Sequence, residues 1–285
     1  MRSELQLMGV DLHVHSVASD GLHTPRELLS MAAGTGLSAI SITDHDNVGS
    51  IAEASSLAPA HALELVPGLE MSSHIREKDA HFLAYYLDYE SPRLHERLSW
   101  LREARLERTR TMLALLRSQG VELSLEELGP ITEGGAIGRP HVAELLVRRG
   151  YVRTVGEAFE RFLQRGACCY VEKEVLPPSE ILDLILDLGG VPVLAHPGVS
   201  RIDEHIEELA SAGLQGLEAF HADHTAEQIG LYRRLASELG LIVTGGSDFH
   251  GEGVRGTRVG ANDVPDWVLE RLKDRRDALA GQPRG

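Results

Sequence analysis

The sequence predicts an α/β barrel carrying a helical insert, and three observations lead there. Seven short β-rich runs recur, each followed by helix-like sequence, which is the pattern of a parallel sheet or barrel. The chain has 285 residues, more than one minimal domain needs and within the range of a single large α/β barrel. The strand rhythm breaks once, over residues 91–166, where long amphipathic patterns replace strands.

The first run, Gly9 to His15, leads to a helix announced by Thr24-Pro25-Arg26-Glu27, where Thr can cap and Pro can occupy the first turn. Ala39 to Thr43, Glu64 to Glu70 and Ala80 to Leu87 follow as the next strands. The insert opens with LHERLSWLREARLERTRTMLALLRSQG, a helical pattern. Beyond it, Pro177-Pro178-Ser179-Glu180 starts a helix ahead of the runs Val191 to His196, Gly216 to Phe220 and Leu241 to Gly246. The barrel domain is therefore expected over residues 1–90 and 167–285, and the insert over 91–166. The tail from Gly281 to Gly285 reads as frayed.

Composition narrows the function classes. Hydrophobic residues at 42% and charged residues at 25% are ordinary for a soluble globular protein. Lys plus Arg total 28 against 43 acids, a net charge of −15, which excludes a whole-molecule basic footprint for duplex DNA or other nucleic acid. A phosphorylated substrate stays open, because bound dications can reverse the local sign. Between Arg93 and Arg165, thirteen arginines face ten acids, so the insert is net +3 and the remainder −18. That excess reads either as a solvated helical face or as a lid presenting Arg to a polyanionic substrate. Cys168 and Cys169 are adjacent and poorly placed to bridge, which excludes a disulfide framework. MRSELQLMGV has no long apolar run, and no stretch reaches the ~18 apolar residues of a membrane span. A cytoplasmic, monomeric protein with no membrane partner is expected.

Fourteen histidines are the compositional anomaly. His13-Val14-His15 is an H-x-H at a strand end, where alternation points both imidazoles to one side. Alone it is a weak signal. Asp20 follows, the second strand ends in Thr43-Asp44-His45-Asp46, and the third ends in Gly68-Leu69-Glu70. The fourth carries His81, the fifth ends in Ala195-His196-Pro197, and the last in Gly246-Ser247-Asp248-Phe249-His250. One at a time, each is a satisfied polar loop residue; jointly, they place metal-ligand types at six strand ends, which a barrel gathers on one face.

On these residues the sequence resembles the PHP (polymerase and histidinol phosphatase) family, along nearly the whole chain apart from the insert and the C-terminal helix. The resemblance implies a distorted seven-stranded β/α barrel and three divalent metal ions, manganese first, with zinc or iron as alternatives. It assigns His13, His15, Glu70 and Asp248 to the first ion. Glu70 bridges to the second with His81 and His196, and Asp20, His45 and His250 hold the third. Three dications less the carboxylates of Asp20, Glu70 and Asp248 leave about +3, which draws phosphate. A single His acting as base gives roughly 10²–10⁴-fold, too little for phosphate-ester hydrolysis. A metal-activated hydroxide, with water lowered to a pKa of about 7, is the expected nucleophile.

Within the family, the length, the insert after the fourth strand and Gly138-Arg139-Pro140-His141 resemble the 3′,5′-nucleotide bisphosphate phosphatases, a branch that includes 5′→3′ exoribonucleases acting on short RNA. That branch implies Arg139 and His141 as phosphate contacts, Arg offering a planar fork to two oxygens. Otherwise Arg139 is a helix-start arginine. His221 and His224, after the sixth strand, are either substrate contacts or helix caps. The expected substrate is a nucleoside 3′,5′-bisphosphate such as adenosine 3′,5′-bisphosphate, or a short single-stranded 5′-phosphorylated RNA. Histidinol-phosphate phosphatase is a second reading, against which the insert argues. A non-catalytic metal-stabilised module is a third, against which the complete ligand set argues.

Asp44 and Asp46 flank His45 and are expected to orient it. Gly251-Glu252-Gly253-Val254-Arg255-Gly256 matches G-x-G-x-x-G but opens no clear helix, so a dinucleotide site is rejected. His23, His61, His74, His95 and His205 read as surface residues, and Trp100 and Trp267 as packing.

Overall fold

The computed structural model of the protein describes residues 9–129, 137–254 and 256–281. Arg255 of the glycine-rich loop and the expected frayed tail beyond Gly281 lie outside them, as does the start of the chain before Gly9. The chain divides into two compact units, residues 1–95 with 176–285, and residues 96–175.

The first unit is built on β1 (Val10–Val14), β2 (Ala39–Ile42), β3 (Glu64–Leu65), β4 (Gly68–Ile75), β5 (Lys78–Tyr85), β6 (Val191–Leu194), β7 (Gly216–His221) and β8 (Ile242–Gly246). Hydrogen bonding runs β1-β2-β3 in one sheet and β4-β5-β6-β7-β8 in the other. Two backbone junctions join them into a ring. Asp46 N–H donates to Glu70 O at 2.8 Å, and His15 N–H donates to Phe249 O at 2.9 Å. β3 and β4 occupy the place of one stave, broken at Val66-Pro67, where proline has no N–H for a ladder. The sequence reading merged them into a single run ending at Glu70, whereas β4 continues to Ile75.

The strand directions also depart from the all-parallel expectation. β4 turns back through Arg76 and Glu77 into β5, pairing Ile75 with Lys78, and β5 is antiparallel to β6 as well. Arg76 has φ 56°, a left-handed turn position usually marked by Gly or Asn. The remaining pairs are parallel.

The helix Pro25–Thr35 starts as expected: Thr24 Oγ1 accepts from Glu27 N–H, and the Glu27 carboxylate accepts from Thr24 N–H at 2.8 Å. Its Leu28, Leu29 and Ala32 pack on Val14, Ile40 and Ile42. A second core drawn from several staves, including Val10, Leu12, Leu83, Tyr85, Val193 and Ile242, meets Val268, Leu269 and Leu272 of the helix Trp267–Ala280.

The second unit holds most of the helix Pro92–Ser118, together with Arg139–Arg148 and Val155–Ala158. Met112, Leu116, Val142, Leu146 and Phe162 form its core with Cys169. Cys169 N–H donates to Phe162 O at 3.0 Å, which ties residues past 166 to this unit. Trp100 and Trp267, read as packing, are 41% and 39% exposed, while His205, read as a surface residue, is buried. Among the described residues, no helix is long and apolar enough to cross a membrane.

Candidate metal centre

His13 on β1 and His15 just beyond it reach the same two carboxylates. His13 Nε2 lies 3.4 Å from both Glu70 Oε2 and Asp248 Oδ1, and His15 Nε2 lies 3.3 and 3.1 Å from them. The two Nε2 atoms are 3.1 Å apart. Glu70 gathers three more imidazoles, with His45 Nδ1 at 3.0 Å, His81 Nδ1 at 2.8 Å and His196 Nε2 at 3.2 Å. Asp20 sits near His15 Nδ1 at 3.7 Å, His250 Nε2 at 3.5 Å and His45 Nε2 at 3.9 Å. The backbone is strained beside these side chains: Asp46, His196 and Asp248 have φ of 50°, 27° and 51°.

Among the described residues, donor atoms close enough to share an ion form five groups. They are His15, Asp20, His45 and His250; His13, His196 and Asp248; His13, His15 and Glu70; His45, Glu70 and His81; and His13, Glu218 and His221. Every residue expected as a ligand falls in one of them, with His15 now beside Asp20 and His45 beside Glu70 and His81. Glu218 and His221 are additions.

Sequence reasoning missed Glu218. It is fully buried on β7, where Oε1 accepts from His13 Nδ1–H at 2.9 Å and Oε2 accepts from His196 N–H at 2.8 Å. An acid inside the apolar run Gly216 to Phe220 was the available signal. Asp11 was missed for the same reason. Its carboxylate accepts from Ser247 N–H and Gly260 N–H, each at 2.8 Å, and holds the segments after β8 against β1. Asp44 accepts from Ser16 N–H, Ser16 Oγ and Ser19 Oγ, each at 2.7 Å, and from Ser50 Oγ at 2.5 Å. It therefore organises the loop that carries Asp20, whereas Asp46 Oδ1 accepts from Ser72 N–H at 3.2 Å.

The four expected substrate contacts fall in different units. In the barrel unit, His221 is buried, with Nε2 3.5 Å from Asp248 Oδ2 and Nδ1 accepting from Asp223 N–H at 3.1 Å. His224 has both ring nitrogens engaged by backbone, Nδ1–H donating to Ala219 O at 3.0 Å and Nε2 accepting from Gly198 N–H at 3.2 Å. It fastens β7 to the segment after His196. In the insert, the Arg139 guanidinium lies 5.4 Å from the centre of the Tyr170 ring, and His141 Nδ1 accepts from Gly138 N–H at 3.0 Å.

The PHP domain matches residues 11–148. A 3′,5′-nucleoside bisphosphate phosphatase of Chromobacterium violaceum is 32% identical over 266 residues, covering 91% of this chain and 93% of that one. The chain belongs to the PHP family. The 5′-3′ exoribonuclease Rnm of Escherichia coli is also similar, 30% identical over 250 residues and 84% of each chain. A solved structure from Bifidobacterium adolescentis, described as a metal-dependent phosphoesterase, has a TM-score of 0.84 at 31% identity and covers 94% of this chain and 96% of its own.

The PHP family implies divalent metal ions, and the residues present fit them. Buried here without a hydrogen bond are His15 Nδ1, His45 Nδ1, Glu70 Oε2, His81 Nδ1, His196 Nδ1 and His221 Nε2. Orphaned buried donors and acceptors are costly, and a cation satisfies several of them at once. Nitrogen and carboxylate donors without thiolate suit first-row dications. Burial opposes charge on Glu70, Asp248 and Asp20, yet the imidazoles, His45 and His13 foremost, hold all three carboxyls well below the usual range. Burial likewise opposes protonation of His15, but Asp248 and Glu70 outweigh it and raise the ring to about 10. His196 is lowered by its burial. The three carboxylates are thus ionised, and a cation entering among them competes with the proton held on His15.

Proposed function

We propose that this PHP chain hydrolyses phosphate esters with three divalent ions, manganese first and zinc or iron as alternatives. The proposed ligands are His13, His15, Asp20, His45, Glu70, His81, His196, Asp248 and His250. The observation that carries the reading is Glu70, one buried carboxylate within 3.4 Å of five imidazoles, a bridging position between donor groups. Ions bound there lower the pKa of water to about 7 and stabilise charge on phosphoryl oxygens.

The chain prepares its donors by hydrogen bonds. His13 gives its Nδ1 proton to Glu218, and His250 gives its own to the Asp248 carbonyl at 2.9 Å, so each presents an Nε2 lone pair. His221 is the opposite case. Its Nδ1 accepts from Asp223, so the neutral ring carries its proton on Nε2, suited to donate to a phosphate or leaving oxygen rather than to bind an ion. Counting Glu218 with the other three carboxylates, three dications leave about +2, still attractive to phosphate. Arg139 and His141 are proposed phosphate contacts, whereas His224, engaged by backbone at both nitrogens, is proposed to fasten β7 to the segment after His196.

The substrate reading is removal of the 3′-phosphate from nucleoside 3′,5′-bisphosphates, or 5′→3′ trimming of short 5′-phosphorylated RNA, by a monomer in the cytoplasm. The similarity to a bisphosphate phosphatase and to an exoribonuclease supports both. Chromatography of products from adenosine 3′,5′-bisphosphate, a short 5′-phosphorylated RNA and histidinol phosphate tests it. Adenosine 5′-monophosphate or 5′-mononucleotides are expected as the main products. Faster release from histidinol phosphate would overturn the nucleotide assignment.

A further inference from the structure

A cavity of about 440 Å³ lies within the barrel unit at the start of β8, where Gly240 and Ile242 line it. Asp248 and His250 follow the other end of that strand, and its span from Ile242 to Gly246 is roughly 13 Å. Two helices supply the rest of the lining. Arg233 and Ser237 stand one turn apart on the helix Ala226–Glu238, and Trp267, Arg271 and Arg275 recur every fourth residue along one face of the helix Trp267–Ala280. The Phe220 ring meets Trp267 edge-on, at 6.2 Å between centres and 71° between planes, and Trp267 remains 39% exposed. The Arg233 guanidinium lies 5.8 Å from the centre of the same Phe220 ring. Arg275 Nη1 donates to Gln215 Oε1 and Nη2 to Gly240 O, each at 2.7 Å, which fixes its fork at the turn into β8.

Surface solvation does not account for this grouping. The chain is net −15, yet the cavity is lined by three arginines and, among the described residues, by no acid. Arg276, on the same helix, pairs with Asp277 at 2.8 Å as arginines on an acidic surface do. Among the described residues, Arg233 and Arg275 form no ion pair, and Arg271 reaches only Asp274, at 4.0 Å. Burial lowers the Arg275 guanidinium. Gathering like charges around a concave surface is unfavourable, and a bound anion reverses the sign of that effect. Guanidinium forks pair with two phosphate oxygens each. The exposed indole adds a surface on which a nucleobase can stack, as it also can on a guanidinium plane. The volume falls in the range of small-molecule sites.

We propose that this cavity is a second ligand site, separate from the metal centre, that binds a nucleoside phosphate with its base against Trp267 and its phosphate on Arg233, Arg271 and Arg275. A sugar phosphate would leave the indole uncovered, and an uncharged nucleoside would leave the arginines unmet. The assignment stands independently of the phosphoesterase reading.

Fluorescence of the full-length Trp100→Phe protein, in which Trp267 is the remaining tryptophan, tests it by titration with adenosine 5′-monophosphate. Saturable quenching is expected, with the same midpoint in manganese-loaded protein, in stripped protein and in a Glu70→Gln background. Arg233→Met and Arg271→Met, both at exposed positions, should each raise the midpoint about tenfold or more with unchanged circular dichroism. As competitors, adenosine and ribose 5-phosphate should each need roughly tenfold higher concentration than the nucleotide. Absence of saturable quenching, or unchanged midpoints in both arginine variants, would overturn the site. Quenching lost on stripping and in Glu70→Gln would place the ligand at the metal centre and overturn it as well. Ribose 5-phosphate competing as well as the nucleotide would overturn the base contact with Trp267, and with it the nucleotide assignment.

Discussion

At His13, one hydrogen bond decides what the ring can do. Glu218 takes the Nδ1 proton at 2.9 Å and leaves Nε2 facing Glu70 and Asp248. Glu218→Gln is expected to weaken manganese affinity about 10–100-fold in chelator competition, with the fold retained. Unchanged affinity would remove Glu218 from that role. His221→Asn should lower kcat by roughly 10²–10⁴-fold at unchanged metal content, as loss of a proton donor does. An equal loss of bound metal would show that His221 is a ligand instead. The strand-end residues were legible because His, Asp and Glu cluster there with turn residues around them. Glu218 and Asp11 were not, since each is a lone acid in an apolar strand whose partners lie far away in sequence. His221 and His224 look alike in sequence, and only their hydrogen bonds separate them.

The loops after β1 and β2 are one hydrogen-bonded element centred on Asp44. Four bonds from Ser16, Ser19 and Ser50 converge on its carboxylate, and the same loop positions Asp20. Asp44→Ala leaves buried donors unmet and should cost about 2–4 kcal/mol in urea unfolding. A loss below about 1 kcal/mol would mean the serines find other partners. Close approach matters equally at the end of β8, where a side chain at Gly246 would collide with His13. The strands themselves were readable from β-rich runs and helix-start signals. The β4–β5 hairpin was not, because Arg76 and Glu77 carry none of the usual turn chemistry. The break at Val66-Pro67 was hidden inside a continuous apolar run, and the packing of Cys169 into the insert depends on long-range contacts.

Across the molecule, a net charge of −15 coexists with a centre built to concentrate cations. In the metal-free chain His15 titrates at about 10, above its unfolded value, so its stabilising contribution is complete below about pH 6.5 and fades as pH rises toward 10. Asp20, Glu70 and Asp248 titrate below their unfolded values, so their contributions hold above about pH 4 and are lost on acidification. Metal binding displaces the imidazole protons and therefore strengthens as pH rises. The Tm difference between manganese-loaded and metal-free protein should widen from pH 6 to pH 8 in calorimetry; a constant difference would contradict proton displacement. The central claim is that this cluster hydrolyses phosphate esters through its metals. Free phosphate release from adenosine 3′,5′-bisphosphate tests it most directly, using protein loaded with manganese, stripped by chelator and reloaded, alongside Glu70→Gln. Release that disappears on stripping, returns on reloading and is absent in Glu70→Gln is the predicted result. A folded, metal-loaded protein that releases no phosphate, or one whose release survives stripping, would contradict it.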